Sequence, residues 1–326
     1  MYTVYGILYT YYISLISNYM YDLIIIGGGP AGVAAGVYAS RKKLNALLLT
    51  KDFGGQAVAS AKIENFIGHT VITGLELAKV LEGQLRAQQN IEIKDGISVT
   101  AVAKSDGGFV VTDSKGETYR TKTVLMTLGS AYKHLDVPGE KEYSGKGVFY
   151  CSTCDAPLMQ GKVAVVIGGG NSGLEAARDL LPFASKIYVL EYAPTLKGDA
   201  VTQEMLRKEA NVEIIANAET KEIFGVDFVQ GLKYEDRTSG AEKLIHAEGI
   251  FVAIGMRPNS DVVRGLVDAT SFGNIVVDHK TMQTSVKGIW AAGDITDGSY
   301  NQINMAIGEA IKAVLNIHEH LFTGEV

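Results

Sequence analysis

Residues 21–39 read YDLIIIGGGPAGVAAGVYA, and residues 162–180 read KVAVVIGGGNSGLEAARDL. Each opens with an apolar run, Leu23 to Ile26 or Val163 to Ile167, of the kind that forms a parallel strand covered on both faces. Glycines then follow at G-x-G-x-x-G spacing, ahead of a segment of helical character. Gly27 and Gly168 allow the tight turn, Gly29 and Gly170 let the backbone approach a pyrophosphate, and Gly32 and Gly173 let the helix pack close to its strand. The helix N-terminus then offers unpaired N–H groups and the positive end of its dipole to the phosphates. One glycine cluster can be a mere turn. Two copies, each between a strand and a helix, predict an α/β chain with two Rossmann-like nucleotide-binding domains.

The residues after each copy separate the two sites. After the second, the strand Lys186 to Leu190 ends in Glu191, close to the ~20-residue distance at which an acid binds a ribose 2′-hydroxyl. A 2′-phosphate would want Arg or Lys there, and none occurs before Lys197. This favours NADH, although Glu191 could also be a solvated charge at a strand end. After the first copy the strand Ala46 to Leu49 ends at Thr50, without an acid, and leads into Lys51, Asp52, Phe53, Gly54, Gly55 and Gln56. Late in the chain a strand Gly288 to Ala292 ends in Gly293 and Asp294, where a carboxylate can accept hydrogen bonds from a polyol such as ribitol. The first copy therefore reads as a flavin site closed by the C-terminal segment, so its domain is discontinuous.

Tyr150, Cys151, Ser152, Thr153, Cys154, Asp155, Ala156 and Pro157 place a C-x-x-C at a strand-to-helix junction. Such pairs have lowered thiol pKa values, because a helix N-terminus favours the thiolate. Half of a zinc site is the competing reading, but tetrahedral zinc needs two more ligands and no second pair or nearby His supplies them. A structural disulfide is the other. Asp155 is the candidate acid for a departing thiolate, with a solvated cap as its bland alternative.

The 326 residues suit two domains of ordinary size. With 30 Lys and Arg against 36 Asp and Glu the chain has no basic stripe, so nucleic acid is not an expected partner. Two cysteines three positions apart fit a reactive pair in a reducing cytosol rather than a secreted scaffold, and a cytoplasmic location follows. The opening MYTVYGILYTYYISLISNYM has no charge and neither the flanks of a membrane span nor a signal-peptide n-region. Residues 1–19 read as an extension ahead of a true start at Met20, with a short interfacial or partner-binding arm as the alternative.

Taken together, FGGQ at Phe53, IENFIG at Ile63, C-x-x-C-D at Cys151, GGGNSG at Gly168 and AAGDI at Ala291, followed by Tyr300, Gln302 and Ile303, resemble the low-molecular-weight thioredoxin reductases from Tyr21 to the C-terminus. Between Leu190 and Glu222, and around GIFVAIGMRPN, the wording is more similar to the reductase portion of the alkyl hydroperoxide reductase flavoprotein, which is NADH-linked. The resemblance implies FAD and a nicotinamide nucleotide, Cys154 as the thiol near the flavin, Cys151 as the thiol that attacks an external disulfide, and Asp155 as the acid. It also implies a homodimer built mainly on the flavin domains. FAD is assigned to Gly27, Gly29, Pro30, Ala31, Gly32, Thr50, Gly55, Gln56, Asn65, Gly293, Asp294, Gln302 and Ile303. NAD is assigned to Gly168, Gly170, Asn171, Ser172, Gly173, Glu191 and Gly255.

Three departures from that family matter. Its NADPH-specific members carry a His-Arg-Arg-like run where this chain has Glu191 and Tyr192. Its usual Gly after the C-x-x-C Asp is Ala156 here. The peroxide-reductase flavoprotein also has a thioredoxin-like N-terminal region with no counterpart before Tyr21, so electrons are expected to leave to a separate small dithiol protein, thioredoxin-like or glutaredoxin-like.

The expected division is a flavin domain of residues 20–130 and 260–326 around a nucleotide and dithiol domain of 131–259, with Leu128-Gly129-Ser130 and Ile254-Gly255 as hinges. Three other functions fit parts of this pattern. A flavin NADH oxidase or diaphorase would not need the cysteines, a ferredoxin-driven thioredoxin reductase would ignore NADH, and a flavin-binding redox sensor would not turn over. Arg41-Lys42-Lys43 reads as a solvated helix end, and His318 and His320 as exposed positions of the last helix.

Overall fold

Both copies of the repeat fold into a strand, a glycine turn and a helix because their apolar runs are long enough to span a sheet and are buried on both sides. A computed structural model describes residues 19–60 and 62–324. The reading of residues 1–19 as an extension therefore falls outside the described residues, apart from Tyr19. In the first copy β1 (Met20–Gly28) leads into α1 (Pro30–Arg41) and then β2 (Ala46–Phe53). In the second, β3 (Val163–Ile167) leads into α2 (Asn171–Leu180) and then β4 (Lys186–Leu190).

β1 lies between β2 and the strand Thr118–Met126, parallel to both, with Leu23 opposite Ala46 and Thr123 and Ile26 opposite Leu49 and Met126. Pairing of Gly28 with Phe53 carries β2 past Thr50, four residues beyond the expected Leu49. Leu23, Ile24, Ile25 and Ile26 are all fully buried, each contributing about 1.5–3 kcal/mol on removal from water. The strand Ile289–Ala291 joins the same sheet next to Thr118–Met126, with Trp290 opposite Leu125. A segment from the end of the chain thus completes the sheet that the beginning starts.

The second sheet runs Val212–Ile215, β4, β3, Gly249–Val252 and Val148–Phe149, all parallel. A three-stranded antiparallel sheet, Ala218–Gly225, Val229–Asp236 and Ala241–His246, stands beside it. The two chain crossings between the first and second sheets come together as an antiparallel ribbon, Ser130–Tyr132 against Met256–Pro258. Gly129 (φ 61°) and Gly255 (φ 101°), which flank it, both lie in the left-handed region.

The last helix, α3 (Ile303–Thr323), packs on α1. His318 and His320 are half-buried there rather than exposed, and the His320 ring packs in a T-shaped contact with the fully buried Trp290, 5.2 Å between centroids. The Trp290 indole N–H donates to Asn316 Oδ1 at 3.0 Å. Among the described residues no helix is long and apolar enough to cross a membrane.

Candidate active site

The glycines of the two loops occupy three different backbone settings. Gly27 (φ 118°) and Gly168 (φ 121°) take a conformation that L side chains rarely adopt. A Cβ on Gly32 would overlap the Gly27 carbonyl oxygen, and one on Gly173 would overlap that of Gly168. A Cβ on Gly29 or Gly170 would meet nothing within 4 Å, so at these two positions the backbone faces open space.

In the first copy that open space is part of a cleft of about 850 Å³. Gly27, Gly29, Pro30, Ala31, Thr50, Gly55, Gln56, Asn65, Gly293, Asp294, Gln302 and Ile303 all line it, as do Cys151, Cys154 and Asp155. Gly32 is turned away from it. Asn65 and Gln302 meet directly, the Asn65 amide donating to Gln302 Oε1 at 3.1 Å, while Asn304 Nδ2 donates to the Asn65 carbonyl at 2.8 Å. The Gln56 amide nitrogen donates to the Ser130 carbonyl, and its Oε1 is buried without a partner among the described residues.

The cysteines are joined as a disulfide with Cα atoms 5.3 Å apart. Cys151 caps the short helix Ser152–Asp155, its Sγ accepting from the Cys154 amide at 3.2 Å. The two residues between the cysteines are tethered as well: Ser152 Oγ donates to Asp179 Oδ2 at 2.8 Å and Thr153 Oγ1 to the same oxygen at 3.5 Å. Ala156 is helical (φ −54°, ψ −38°) and buried, so nothing at that position calls for glycine.

Burial pushes the Asp155 carboxyl up to about 7. Burial, and then the charge of Glu309, push Asp294 up to about 6. Tyr132 feels both carboxylates and, chiefly through its own burial, is raised to about 12. Its ring stacks on Tyr150, the residue before Cys151, at 5.2 Å. Tyr132 therefore links the dithiol to the Gly293-Asp294 turn.

The second glycine loop lies elsewhere, and none of Gly168, Gly170, Asn171, Ser172, Gly173, Glu191 and Gly255 lines the cleft. Glu191 turns back onto the loop, accepting from the Gly169 amide at 2.6 Å and from the Ala193 amide at 2.8 Å. Asn171 Oδ1 accepts from the Asp199 amide at 2.8 Å. Gly255 follows Ala253 and Ile254, which close over Gly168. Among the described residues no cluster of three or more His, Cys, Asp or Glu side chains is placed to hold a metal ion.

No signal in the sequence singles out Asp179, Glu309, Tyr132 or Arg237. Spacing rules do not reach them, because each acts on a partner 16 or more positions away.

The family model described as pyridine nucleotide-disulphide oxidoreductase matches residues 21–310. The chain is 41% identical over 301 residues to a protein named NADH dehydrogenase from Bacillus subtilis, and 41% identical over 304 residues to the F subunit of alkyl hydroperoxide reductase from Pseudomonas putida. Each alignment covers 92% of this chain but 58% of the relative, so the chain spans little more than half the length of these proteins. Among solved structures, thioredoxin reductase from Giardia duodenalis superposes with a TM-score of 0.88 at 31% identity, covering 93% of this chain and 99% of that one.

Proposed function

The chain belongs to the pyridine nucleotide-disulphide oxidoreductase family, and on that premise we propose that it passes electrons from NADH, through FAD, to the Cys151–Cys154 disulfide and on to the disulfide of a small thioredoxin-like or glutaredoxin-like protein. One observation carries this reading: the disulfide and the raised Asp155 carboxyl open onto the cleft bordered by the first glycine loop.

The donor set of that cleft fits FAD. Gly29 leaves room for a pyrophosphate against the backbone, the buried Gln56 Oε1 lacks a partner among the described residues, and Asp294 stands beyond a strand end where a ribityl chain would donate. Bound FAD supplies a two-electron relay between a nicotinamide and a disulfide. Gly27, Gly29, Pro30 and Ala31 would hold its pyrophosphate, Gly32 lets the helix close onto the Gly27 carbonyl, and Thr50, within β2, follows Leu49 as Glu191 follows Leu190. Gly55, Gln56, Asn65, Gly293, Asp294, Gln302 and Ile303 would hold the rest.

Exchange with the partner needs only this chain's own groups. The Cys151 thiolate attacks one sulfur of the partner disulfide, and the partner's other sulfur leaves as a thiolate that takes a proton. The Cys154 thiolate then attacks Cys151 Sγ, which restores the intramolecular disulfide and frees the second partner thiol. Burial lets Asp155 hold its proton to higher pH than an ordinary carboxyl, which suits it to supply the leaving thiolate with a proton.

NADH would lie on the loop of Gly168, Gly170, Asn171, Ser172 and Gly173 near Gly255, with its adenosine ribose at Glu191. The Glu191 carboxylate, fixed against that loop by two amides, would accept from a 2′-hydroxyl and repel a 2′-phosphate. Because the dithiol and not this loop faces the flavin cleft, turnover would need residues 131–259 to rotate against residues 20–130 and 260–326 about Gly129 and Gly255. A homodimer through the flavin-binding part completes the proposal. In the test, Cys151→Ser and Cys154→Ser each abolish NADH-driven reduction of a protein disulfide, and activity surviving in either variant contradicts the reading.

A further inference from the structure

The sequence offers no cation between Glu191 and Lys197, but the fold brings one in from 45 positions away. The Arg237 guanidinium lies 3.9 Å over the Tyr192 ring, and its Nη1 donates to the Tyr192 carbonyl at 3.0 Å. Its backbone is anchored in the same direction. The Arg237 amide donates to the Asn217 carbonyl at 2.8 Å, and the Asn217 amide donates to that of Ala193 at 3.1 Å. Ala193 is the residue whose amide holds Glu191. The hairpin turn behind Arg237 is fixed as well, since Asp236 accepts from the Thr238 and Ser239 amides and pairs with Lys243 at 2.8 Å.

Neighbouring cations of the antiparallel sheet are neutralised: Lys233 by Glu222, Lys221 by Glu219 and Glu235, Lys243 by Asp236. Arg237 is exposed and makes no ion pair among the described residues. A flat guanidinium held on one face by an aromatic ring keeps the N–H groups not spent on the Tyr192 carbonyl for another acceptor, and a guanidinium fork matches a phosphate.

We propose that Arg237 is a specificity-determining residue of the nucleotide site: its guanidinium, held on the residue after Glu191, is a ligand for a ribose 2′-phosphate, and the Glu191 carboxylate is what turns the site toward NADH. This rests on the reading that the adenosine ribose lies at Glu191. Discrimination between the two nucleotides is then a contest between one fixed anion and one fixed cation. Removing the anion should expose the cation's preference.

The test is calorimetric titration of the FAD-loaded enzyme with ADP-ribose and with its 2′-phosphate, in wild type, Glu191→Gln, Arg237→Ala and the double variant. The ratio of the two dissociation constants is taken within each preparation, so the folded fraction cancels. Wild type should favour ADP-ribose. Glu191→Gln should move the ratio toward the phosphorylated ligand by roughly 10- to 100-fold, the worth of one hydrogen bond to a charged group, and adding Arg237→Ala should reverse that gain. If the double variant keeps the gain, the Arg237 proposal is overturned while the Glu191 reading stands. If Glu191→Gln leaves the ratio unmoved, the Glu191 half of the proposal is overturned and Arg237→Ala decides the other half: a loss confined to the phosphorylated ligand upholds Arg237 as the phosphate's ligand, and equal changes for both ligands overturn that as well.

Discussion

The amide of Gly293 donates to the carboxylate of Glu309 at 2.8 Å, which ties the turn that presents Asp294 to the last helix and sets two acids side by side. Burial raises Glu309 as it raises Asp294. Glu309→Ala leaves the Gly293 N–H without its partner, at about 1–3 kcal/mol. We expect thermal denaturation to place this variant below wild type, with weaker FAD retention. Glu309→Gln keeps an acceptor oxygen and should hold the turn, while the loss of charge lets Asp294 ionise at lower pH.

Asp155 gives a pH dependence of definite sign. Its carboxyl titrates near 7 in the fold, above the unfolded value, so the folded chain holds this proton to higher pH. The associated stability is fully present below the unfolded pKa and is lost as pH rises through about 7. Denaturant midpoints measured across this range should fall less steeply for Asp155→Asn than for wild type. Disulfide exchange should be slower in that variant by roughly 10²- to 10⁴-fold, the usual worth of a general acid.

With FAD on the first glycine loop and NADH on the second, as proposed, substitutions in the two loops should separate the cofactors. A Cβ at Gly32 or at Gly173 overlaps a backbone oxygen of its own glycine loop, an overpacking of about 1–3 kcal/mol concentrated on that loop. Gly32→Ala should yield protein depleted of flavin. Gly173→Ala should remain yellow yet fail to bleach with NADH in anaerobic mixing.

The backbone of this architecture was legible wherever a local rule applied. The bounds of β3 and β4 coincide with their apolar runs because loops and charges bracket them, and Cys151 with Cys154 announces itself by spacing. The meeting of Asn65 with Gln302, 237 positions apart, has no periodic signature, and the resemblance to a known family alone put both residues at one site. Asp179, which holds both residues between the cysteines, and Arg237 on Tyr192 escaped even that. They act through tertiary side-chain geometry, and a solvent-facing charge reads the same in sequence whether or not it has a task.

Reductive titration tests the path from NADH through flavin to Cys151 and Cys154 most directly. Wild type and the Cys151→Ser/Cys154→Ser double variant are titrated anaerobically with NADH, and the nucleotide consumed per bound flavin is followed to full reduction. Wild type should take up twice as much NADH per flavin as the double variant, because the disulfide accepts a second electron pair. Equal uptake by the two proteins would mean that the cysteines lie off the electron path, and would contradict the account at its centre.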